Sequence, residues 1–391
     1  MLTAREQLRD AHRIVVKLGT QVVTHDGVEL ALGRLMGLVE SLARLRKSGR
    51  EVVLVSSGAV GMGRRVLGLT ERPRSLGLRQ ACAAVGQGHL MAVYTQAFTQ
   101  LGVVAAQVLL TQGDLADRDR ALCLRTTLMR LLGLGVVPVL NENDSVSVRE
   151  LVEYQRLQAA GAPPAPAAAT TFGDNDGLSA RVASSLDADL LVLLTDVDGL
   201  YTADPATDPA AQLVRELPRV DDAVLAMAGG GSAGGTGGMT SKLEAARLAA
   251  AEGTAVLIAS GGTPRVLERA LAGEPVGTLV AAERRGARWR HIAVSGRQQG
   301  ALVVTDGAVT ALLERKASLL PVGVTAVEGE FAKGDVVEVR DGSGRVLGRG
   351  LVNYPSAACR ALQGRHSEEI SSVLGWRGYD ALITRDNLVL G

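Results

Sequence analysis

Runs of Val, Leu and Ile without polar alternation recur along the first two-thirds of the chain. Such runs are typical of strands buried on both faces of a parallel sheet. They predict strands at Arg13–Leu18, Glu51–Val55, Val103–Leu110, Val136–Leu140, Leu190–Thr195, Ala255–Ala259 and Thr278–Ala281. Helical patterns lie between them, at Leu30–Lys47, Gln80–Gln100, Arg120–Leu132 and Met239–Glu252. The alternation predicts an α/β fold, a three-layer αβα sandwich around a mainly parallel sheet, with ligands at the carboxyl ends of the strands.

Two segments interrupt this pattern. Ala159–Thr171 is rich in Ala and Pro, which predicts an exposed, mobile insertion at about residues 149–171. The preceding Glu150–Gln158 carries apolar residues near helical spacing, and we consider it either a short lid or a decorative loop. Gly229–Gly238 is dense in glycine and is expected to form a loop.

The alternation of strands and helices ends near Arg284. From Ala301 onward the chain shows short strand-like runs separated by glycine turns, at Asp335–Arg340, Gly344–Val352 and Asp380–Leu390. We therefore predict an α/β domain at residues 1–283, a linker at 284–298 and a small β-rich domain at 299–391.

Charge and cysteine content exclude several functional classes. The formal net charge is +1, so the chain has no global field that would recruit nucleic acid or an anionic membrane. Cys82, Cys123 and Cys359 lie far apart, which fits neither a zinc site nor a disulfide framework. The N-terminus lacks a signal-peptide pattern, and no apolar run approaches the ~20 residues of a membrane span. We expect a cytoplasmic protein.

Lysine is rare in this chain, and its positions are informative. Only five of the 42 basic residues are lysines, and two of these, Lys17 and Lys242, lie in glycine-rich turns. A compact ammonium on a flexible stem fits where a planar guanidinium does not, so lysine at both positions favours contact with phosphate. Taken alone, a strand-end lysine is usually a solvated surface charge.

Polar and glycine-rich segments cluster at the ends of predicted strands and the starts of predicted helices. They are Val55–Gly61 (VSSGAVG), Asn141–Asp144 (NEND), Phe172–Gly177 (FGDNDG), Leu194–Tyr201 (LTDVDGLY) and Thr236–Lys242 (TGGMTSK). Glycines allow close approach to a ligand, and helix N-termini attract anions. Helix caps at Asn141 or Asp176 remain the alternative. Matches to dinucleotide and nucleophile-elbow patterns within Gly229–Gly234 follow no strand and are rejected.

Together, these motifs resemble the amino acid kinase superfamily and, within it, the glutamate 5-kinases. The resemblance rests on VVKLGT, SSGAVG, NEND, GDND, LTDVDGLYTADP and GTGGMTSK, in that order, and covers about residues 12–282. The insertion and the order Thr240-Ser241 depart from the family pattern. The tail resembles a PUA module through Thr305–Ala308 (TDGA) and Ser318–Pro321 (SLLP), and this resemblance implies a small C-terminal β-barrel.

The resemblance implies a role for each motif residue. Lys17, Lys242, Asp176 and Asn141 would be catalytic, with Asp176 positioning both ammoniums and the N–H groups of Gly19 and Gly58 lining the phosphate cradle. Glutamate would be bound by Ser57, Gly58, Asp144 and Asn175. The ATP site would comprise Lys17, Gly19, Thr195, Asp196, Thr236, Gly237, Gly238, Met239, Thr240, Ser241 and Lys242, with Mg²⁺ held by ATP phosphates rather than by protein ligands.

The implied activity is ATP-dependent phosphorylation of the side-chain carboxylate of L-glutamate, the first step of proline biosynthesis. An ionised carboxylate needs no general base, which agrees with the lack of an obvious catalytic histidine. Alternatives are an acetylglutamate or aspartate kinase, or an RNA-associated protein acting through the tail. The tail's ten basic and eleven acidic residues count against RNA. We expect a homo-oligomer, a dimer or tetramer, with glutamyl phosphate reductase as a partner.

Overall fold

The computed structural model describes residues 3–146, 175–228, 238–282, 300–376 and 378–390. The chain divides into two compact units, one of residues 1–117 and 124–285 and the other of residues 118–123 and 286–391. The larger unit contains an eight-stranded sheet and the smaller a five-stranded sheet. The domain bounds derived from the sequence stay predictions, and the linker at 284–298 lies almost entirely outside the described residues.

The eight-stranded sheet has the order β5-β6-β4-β1-β7-β9-β10-β8. Its strands are β1 (Arg13–Leu18), β4 (Glu51–Ser56), β5 (Ala105–Leu110), β6 (Val137–Glu142), β7 (Leu190–Thr195), β8 (Glu216–Leu217), β9 (Ala255–Ser260) and β10 (Thr278–Val280). All neighbours are parallel except β9 and β10, which pair antiparallel. A separate hairpin joins β2 (Thr24–His25) to β3 (Glu29–Leu30). The mainly parallel α/β sheet is confirmed.

Helices of the larger unit connect these strands. They are α1 (Ala4–Gln7), α2 (Thr20–Val23), α3 (Leu32–Lys47), α4 (Ala59–Val66), α5 (Leu76–Gln100), α6 (Gln112–Ala116), α7 (Arg118–Gly133), α8 (Asn175–Ser185), α9 (Asp222–Met227), α10 (Met239–Ala251) and α11 (Val266–Leu271), with a 3₁₀ turn at Leu8–Asp10. The predicted helices agree to within a few residues at each end. The largest difference is α5, which begins at Leu76 because the Ser75 hydroxyl caps the amide of Leu78.

Two hydrophobic cores lie on opposite faces of this sheet. Successive side chains of a strand point to opposite faces, so Ile14 and Val16 enter one core while Val15 enters the other. Helices α3 and α5 cover the first core, and α8 and α10 cover the second. This arrangement explains why the strand sequences are apolar at every position rather than at alternate positions.

The smaller unit is a five-stranded sheet with the order β12-β11-β13-β14-β15. Its elements are β11 (Gly300–Val304), α12 (Asp306–Leu313), β12 (Val324–Gly329), β13 (Val336–Arg340), β14 (Val346–Leu351), α13 (Ser356–Leu362), α14 (Ile370–Leu374) and β15 (Leu388–Leu390), with 3₁₀ turns at Pro321–Gly323, Ser367–Glu369 and Arg385–Asn387. Its pairing is antiparallel apart from β11 with β13. The β-rich tail is confirmed.

Several predictions concern parts of the chain that the structure does not describe. The insertion at about 149–171, including the proposed lid at Glu150–Gln158, falls within the gap at 147–174. Most of the glycine loop Gly229–Gly238 falls within the gap at 229–237. Among the described residues, no helix combines the length and apolar character needed to cross a membrane.

Candidate active site

The carboxyl ends of four adjacent strands bring the sequence motifs together. In the centre of the sheet, β6, β4, β1 and β7 run parallel, and Lys17 on β1 aligns with Val55 on β4 and Leu193 on β7. Because parallel strands end at one edge, the segments that follow them share that edge. This packing places the segments containing Lys17, Ser57 and Asn141 beside one another, as the sequence predicted.

A buried carboxylate holds two ammonium groups at this edge. Asp176 is fully buried in the first turn of α8, and its Oδ1 is in an ion pair with Lys17 Nζ. Its Oδ2 accepts a hydrogen bond from Lys242 Nζ at 3.2 Å and one from the Ser241 hydroxyl at 3.0 Å. Lys17 and Lys242 are themselves buried. Asp176 is the second residue of α8 and lies inside the helix, so it does not occupy the capping position that the sequence left as an alternative.

The electrostatics of this cluster keep Asp176 ionised. Burial by itself would raise the pKa of Asp176, because desolvation disfavours the charged form. The charges of Lys17 and Lys242, together with hydrogen bonds from Lys17 and Ser241, outweigh burial and hold the pKa of Asp176 below its ordinary value. Taken together, Lys17, Lys242 and Asp176 carry one net positive charge at neutral pH. Such a cluster suits an anionic ligand.

Next to the ion cluster lies a network of side-chain amides. Asn175 Nδ2 lies 2.8 Å from the Ser56 carbonyl oxygen, 2.9 Å from Ser57 Oγ and 2.9 Å from Asn141 Oδ1. Asn141 Nδ2 donates to Gln87 Oε1 at 2.7 Å. The network therefore joins three of the predicted site residues, Ser57, Asn141 and Asn175, around one donor group.

The two glycines assigned to the phosphate cradle differ in structure. Gly58 precedes α4 with a φ of 101°, a left-handed conformation that disfavours any residue with a Cβ. The amide of Gly19 donates to the Leu194 carbonyl at 3.0 Å. The β1–α2 turn thus uses the Gly19 N–H to hold the end of β7, and the assignment of Gly19 to the phosphate cradle stays a prediction.

The remaining predicted residues occupy two segments on either side. Thr195 ends β7, is buried and donates to the exposed Asp196 carboxylate at 3.0 Å. Gly238 precedes α10, its carbonyl accepts from Ser241, and Met239 and Thr240 form the first turn of that helix. Asp144 lies half-buried in the turn after β6. Thr236 and Gly237 lie outside the described residues.

Sequence reasoning missed the contribution of α5. Gln87 contacts Asn141, and the buried Tyr94 hydroxyl lies 2.7 Å from Ser56 Oγ. A Cβ at Gly86 would lie 1.8 Å from the Ala59 carbonyl oxygen, so this glycine lets α5 pack directly on α4. The available signal was Gly86-Gln87-Gly88, a polar residue between two glycines within a helical pattern.

The described residues contain no group of three or more His, Cys, Asp and Glu side chains that could hold a metal ion. Mg²⁺ keeps several waters and is usually bound through one or two carboxylates and the phosphates of a nucleotide. That Mg²⁺ is carried by the phosphates of a nucleotide stays a prediction.

Comparison with known proteins gives consistent matches along the chain. The family model "Amino acid kinase family" matches residues 12–260, and the "PUA domain" model matches residues 300–374. A glutamate 5-kinase of Moorella thermoacetica is 45% identical over 395 residues, covering 100% of both chains. One from Gloeobacter violaceus is 47% identical over 382 residues, covering 96% of this chain and 98% of the relative.

Among solved structures, the UMP kinase of Bacillus anthracis aligns with a TM-score of 0.46 and 16% identity, over 70% of this chain and 97% of that chain. The match to the amino acid kinase model covers more than half of the chain, and the relatives match along essentially its whole length. The chain therefore belongs to the amino acid kinase family and, within it, to the family of glutamate 5-kinases.

Proposed function

We propose that the chain transfers the γ-phosphoryl group of ATP to the side-chain carboxylate of L-glutamate, producing glutamyl 5-phosphate and ADP. The observation that carries this proposal is the pair of buried lysines on the two oxygens of Asp176. Phosphoryl transfer needs positioning and charge stabilisation more than covalent chemistry, and two fixed ammoniums supply both. Family membership and the adjoining amide network support glutamate as the acceptor.

Lys17 and Lys242 neutralise the oxygens of the transferring phosphoryl group in this proposal. Asp176 holds both ammoniums in place and touches neither substrate. Its buried negative charge offsets one of the two ammonium charges and leaves the other for the phosphoryl group. The N-terminus of α10 at Gly238–Ser241, with Thr195 and Asp196, lies on the nucleotide side of the site.

The acceptor carboxylate lies on the side of Ser57 and Asn175. The Ser57 hydroxyl and side-chain amides supply neutral donors that orient a carboxylate without removing its charge. Asp144 binds the α-ammonium group of glutamate, since a carboxylate is the natural partner of an ammonium. Asn141 lies between the two halves and forms part of the cradle.

The reaction balances without a proton transfer. A carboxylate oxygen of glutamate forms a bond to the γ-phosphorus, and the bond from that phosphorus to the β,γ-bridging oxygen breaks. The electron pair leaves with ADP, whose developing charge the lysines stabilise. Mg²⁺ carried by ATP would supply positive charge that reduces the repulsion between the phosphates and the acceptor carboxylate.

We further propose a cytoplasmic role at the first step of proline biosynthesis. An acyl phosphate hydrolyses in water, so its rapid reduction by a glutamyl phosphate reductase would conserve the product. A homo-oligomer, dimeric or tetrameric, is the assembly that we expect for the chain.

The decisive experiment measures ATP-dependent formation of an acyl phosphate, trapped by hydroxylamine as the hydroxamate. L-Glutamate should give product, whereas L-aspartate and N-acetylglutamate should give little. ADP release should match hydroxamate formation one to one. Product with another carboxylate and none with glutamate would replace the substrate assignment, and no ATP turnover with any carboxylate would refute the proposed function.

A further inference from the structure

Helix α5 carries no recognised motif, yet two of its polar side chains reach the active-site edge. Gln87 and Tyr94 are seven residues apart, a separation that places them on one face of a helix. Gln87 contacts Asn141 at the end of β6, and Tyr94 contacts Ser56 at the end of β4. The helix therefore contacts the ends of two neighbouring strands, and the segments that follow these strands contain Ser57 and Asp144 of the proposed glutamate site.

The Gln87 carbonyl specifies which way the Asn141 amide points. Asn141 Oδ1 accepts from the Glu142 amide and from Asn175 Nδ2, both at 2.9 Å. If the Asn141 amide were turned over, its donor Nδ2 would face these two donors instead of its acceptor Oδ1. In the favoured orientation Nδ2 needs an acceptor, and Gln87 Oε1 provides it at 2.7 Å.

The orientation of Asn141 in turn affects Ser57 through Asn175. Asn175 Nδ2 has two hydrogens and three acceptors within 2.9 Å, namely the Ser56 carbonyl, Ser57 Oγ and Asn141 Oδ1. Since Ser57 Oγ serves as an acceptor here, its own hydrogen points elsewhere. Within the described part of the chain no acceptor takes that hydrogen, which leaves it available to a carboxylate oxygen.

We propose that Gln87 is a positioning residue for the acceptor carboxylate of glutamate. It acts through Asn141 and Asn175, which hold the Ser57 hydroxyl in a donating orientation. Without Gln87, Asn141 Nδ2 loses its acceptor, so one of the three hydrogen bonds that hold the Asn141 amide in its orientation is lost and Asn175 has a less fixed partner. The inference rests on the proposed function and names one more determinant of the same site.

The surrounding packing allows Gln87 to be changed without moving the helix. The close approach at Gly86 and the buried Tyr94 fix α5 independently of Gln87, which is only half-buried. Methionine has nearly the length of glutamine, a high helix propensity and no strong acceptor. Gln96 lies on the exposed side of the same helix and provides a matched control.

The test compares steady-state kinetics of the wild-type chain, Gln87→Met and Gln96→Met. For Gln87→Met we expect KM for glutamate to rise about tenfold, because the Asn141 donor is left unpaired. KM for ATP and kcat should stay within about threefold, and Gln96→Met should match the wild type. An unchanged KM for glutamate, or an equal rise of both KM values, would overturn the proposal.

A double-mutant cycle separates positioning from general structural damage. In an Asn141→Ala background, Gln87→Met should change KM for glutamate by less than about twofold, since its partner is gone. If the effects of Gln87→Met and Asn141→Ala on KM for glutamate were fully additive, Gln87 would not act through Asn141. Gln87→Ala carries the same expectations if Gln87→Met folds poorly. A wild-type chain that forms no hydroxamate with glutamate refutes the proposed function, whereas an active wild type with an unaffected Gln87→Met refutes this inference alone.

Discussion

Each unit of this protein contains one nearly buried carboxylate contacted by two cations, and the two clusters are built differently. In the larger unit, Asp176 contacts Lys17 and Lys242, and the three residues come from three elements far apart in sequence. In the smaller unit, Glu338 on β13 contacts Arg340 on the same strand at 2.7 Å and Arg349 on β14 at 3.1 Å.

The surroundings of the cations explain the difference. The lysine side chains are 6% and 7% exposed, while Arg340 and Arg349 are 29% and 35% exposed. Arg349 is the direct cross-strand neighbour of Glu338, and Arg340 also pairs with Glu328 on β12. The arginine cluster therefore joins three strands of one sheet, β12, β13 and β14. The lysine cluster gathers compact charges at the ligand-binding edge, where a planar guanidinium would not replace them.

The largest effect is expected from exchanging lysine for arginine. Lys17→Arg and Lys242→Arg should each lower kcat by several orders of magnitude, because a guanidinium cannot occupy the position of the ammonium on Asp176. The hydroxamate assay and thermal unfolding measure activity and integrity separately. The matched exchange in the other cluster, Arg340→Lys, should leave kcat unchanged. Near-normal turnover of either lysine variant would show that the phosphoryl site has been assigned to the wrong residues.

Removing the buried carboxylate should affect stability as well as activity. Asp176→Asn leaves two buried ammoniums without their counter-ion, and we expect the free energy of unfolding to fall by about 3–5 kcal/mol. Denaturant titration with unchanged slope checks this value. Glu338→Gln should lower the free energy of unfolding by clearly less, since Arg340 and Arg349 reach solvent. Equal losses in the two variants would show that burial of the cations does not distinguish the clusters.

Replacing Asp144 should weaken the binding of glutamate and leave the binding of ATP nearly unchanged. Asp144→Ala should raise KM for glutamate about tenfold or more, because one charge-assisted contact to the α-ammonium is lost. KM for ATP should stay within a few-fold. Titration of each substrate at saturation of the other gives both constants. Equal damage to both would indicate that Asp144 is structural.

The Glu338 cluster should contribute a pH-dependent part of stability. Burial raises the pKa of Glu338, but hydrogen bonds and charges of Arg340 and Arg349 hold it below the ordinary 4.5. A carboxylate whose pKa is lower in the folded state stabilises the fold at pH values above its unfolded pKa of 4.5. This stabilisation is lost as the pH falls through the folded-state pKa. Between about pH 6 and pH 3, Glu338→Gln should therefore show a shallower decline of unfolding free energy than the wild type. Parallel declines would contradict this.

The smallest effect on catalysis is expected from removing the smaller unit. A chain truncated after Arg284 keeps every kinase motif, and domains joined by linkers usually fold alone. We expect kcat within a few-fold of the full-length value, with any change in assembly visible by size-exclusion chromatography. Loss of all soluble protein would place the domain boundary elsewhere.

The strands and helices were predictable because their signals are local. A short apolar run such as Leu190–Thr195 is typical of a strand that is buried on both faces, and the structure has a strand at these residues. Element ends were less accurate. The start of α5 at Leu76 depends on one cap by Ser75, and the start of α8 at Asn175 adjoins residues that the structure does not describe.

By itself, the sequence determined the α/β alternation, the β-rich tail and the polar segments at the strand ends, since these depend on neighbours along the chain. Only the tertiary structure decided how these segments combine. It set Asp176 on both lysines, committed the Gly19 amide to Leu194 and brought Gln87 to Asn141. Each of these contacts joins residues from different elements. Such contacts follow from the order of strands and the packing of helices on the sheet, which no local pattern encodes.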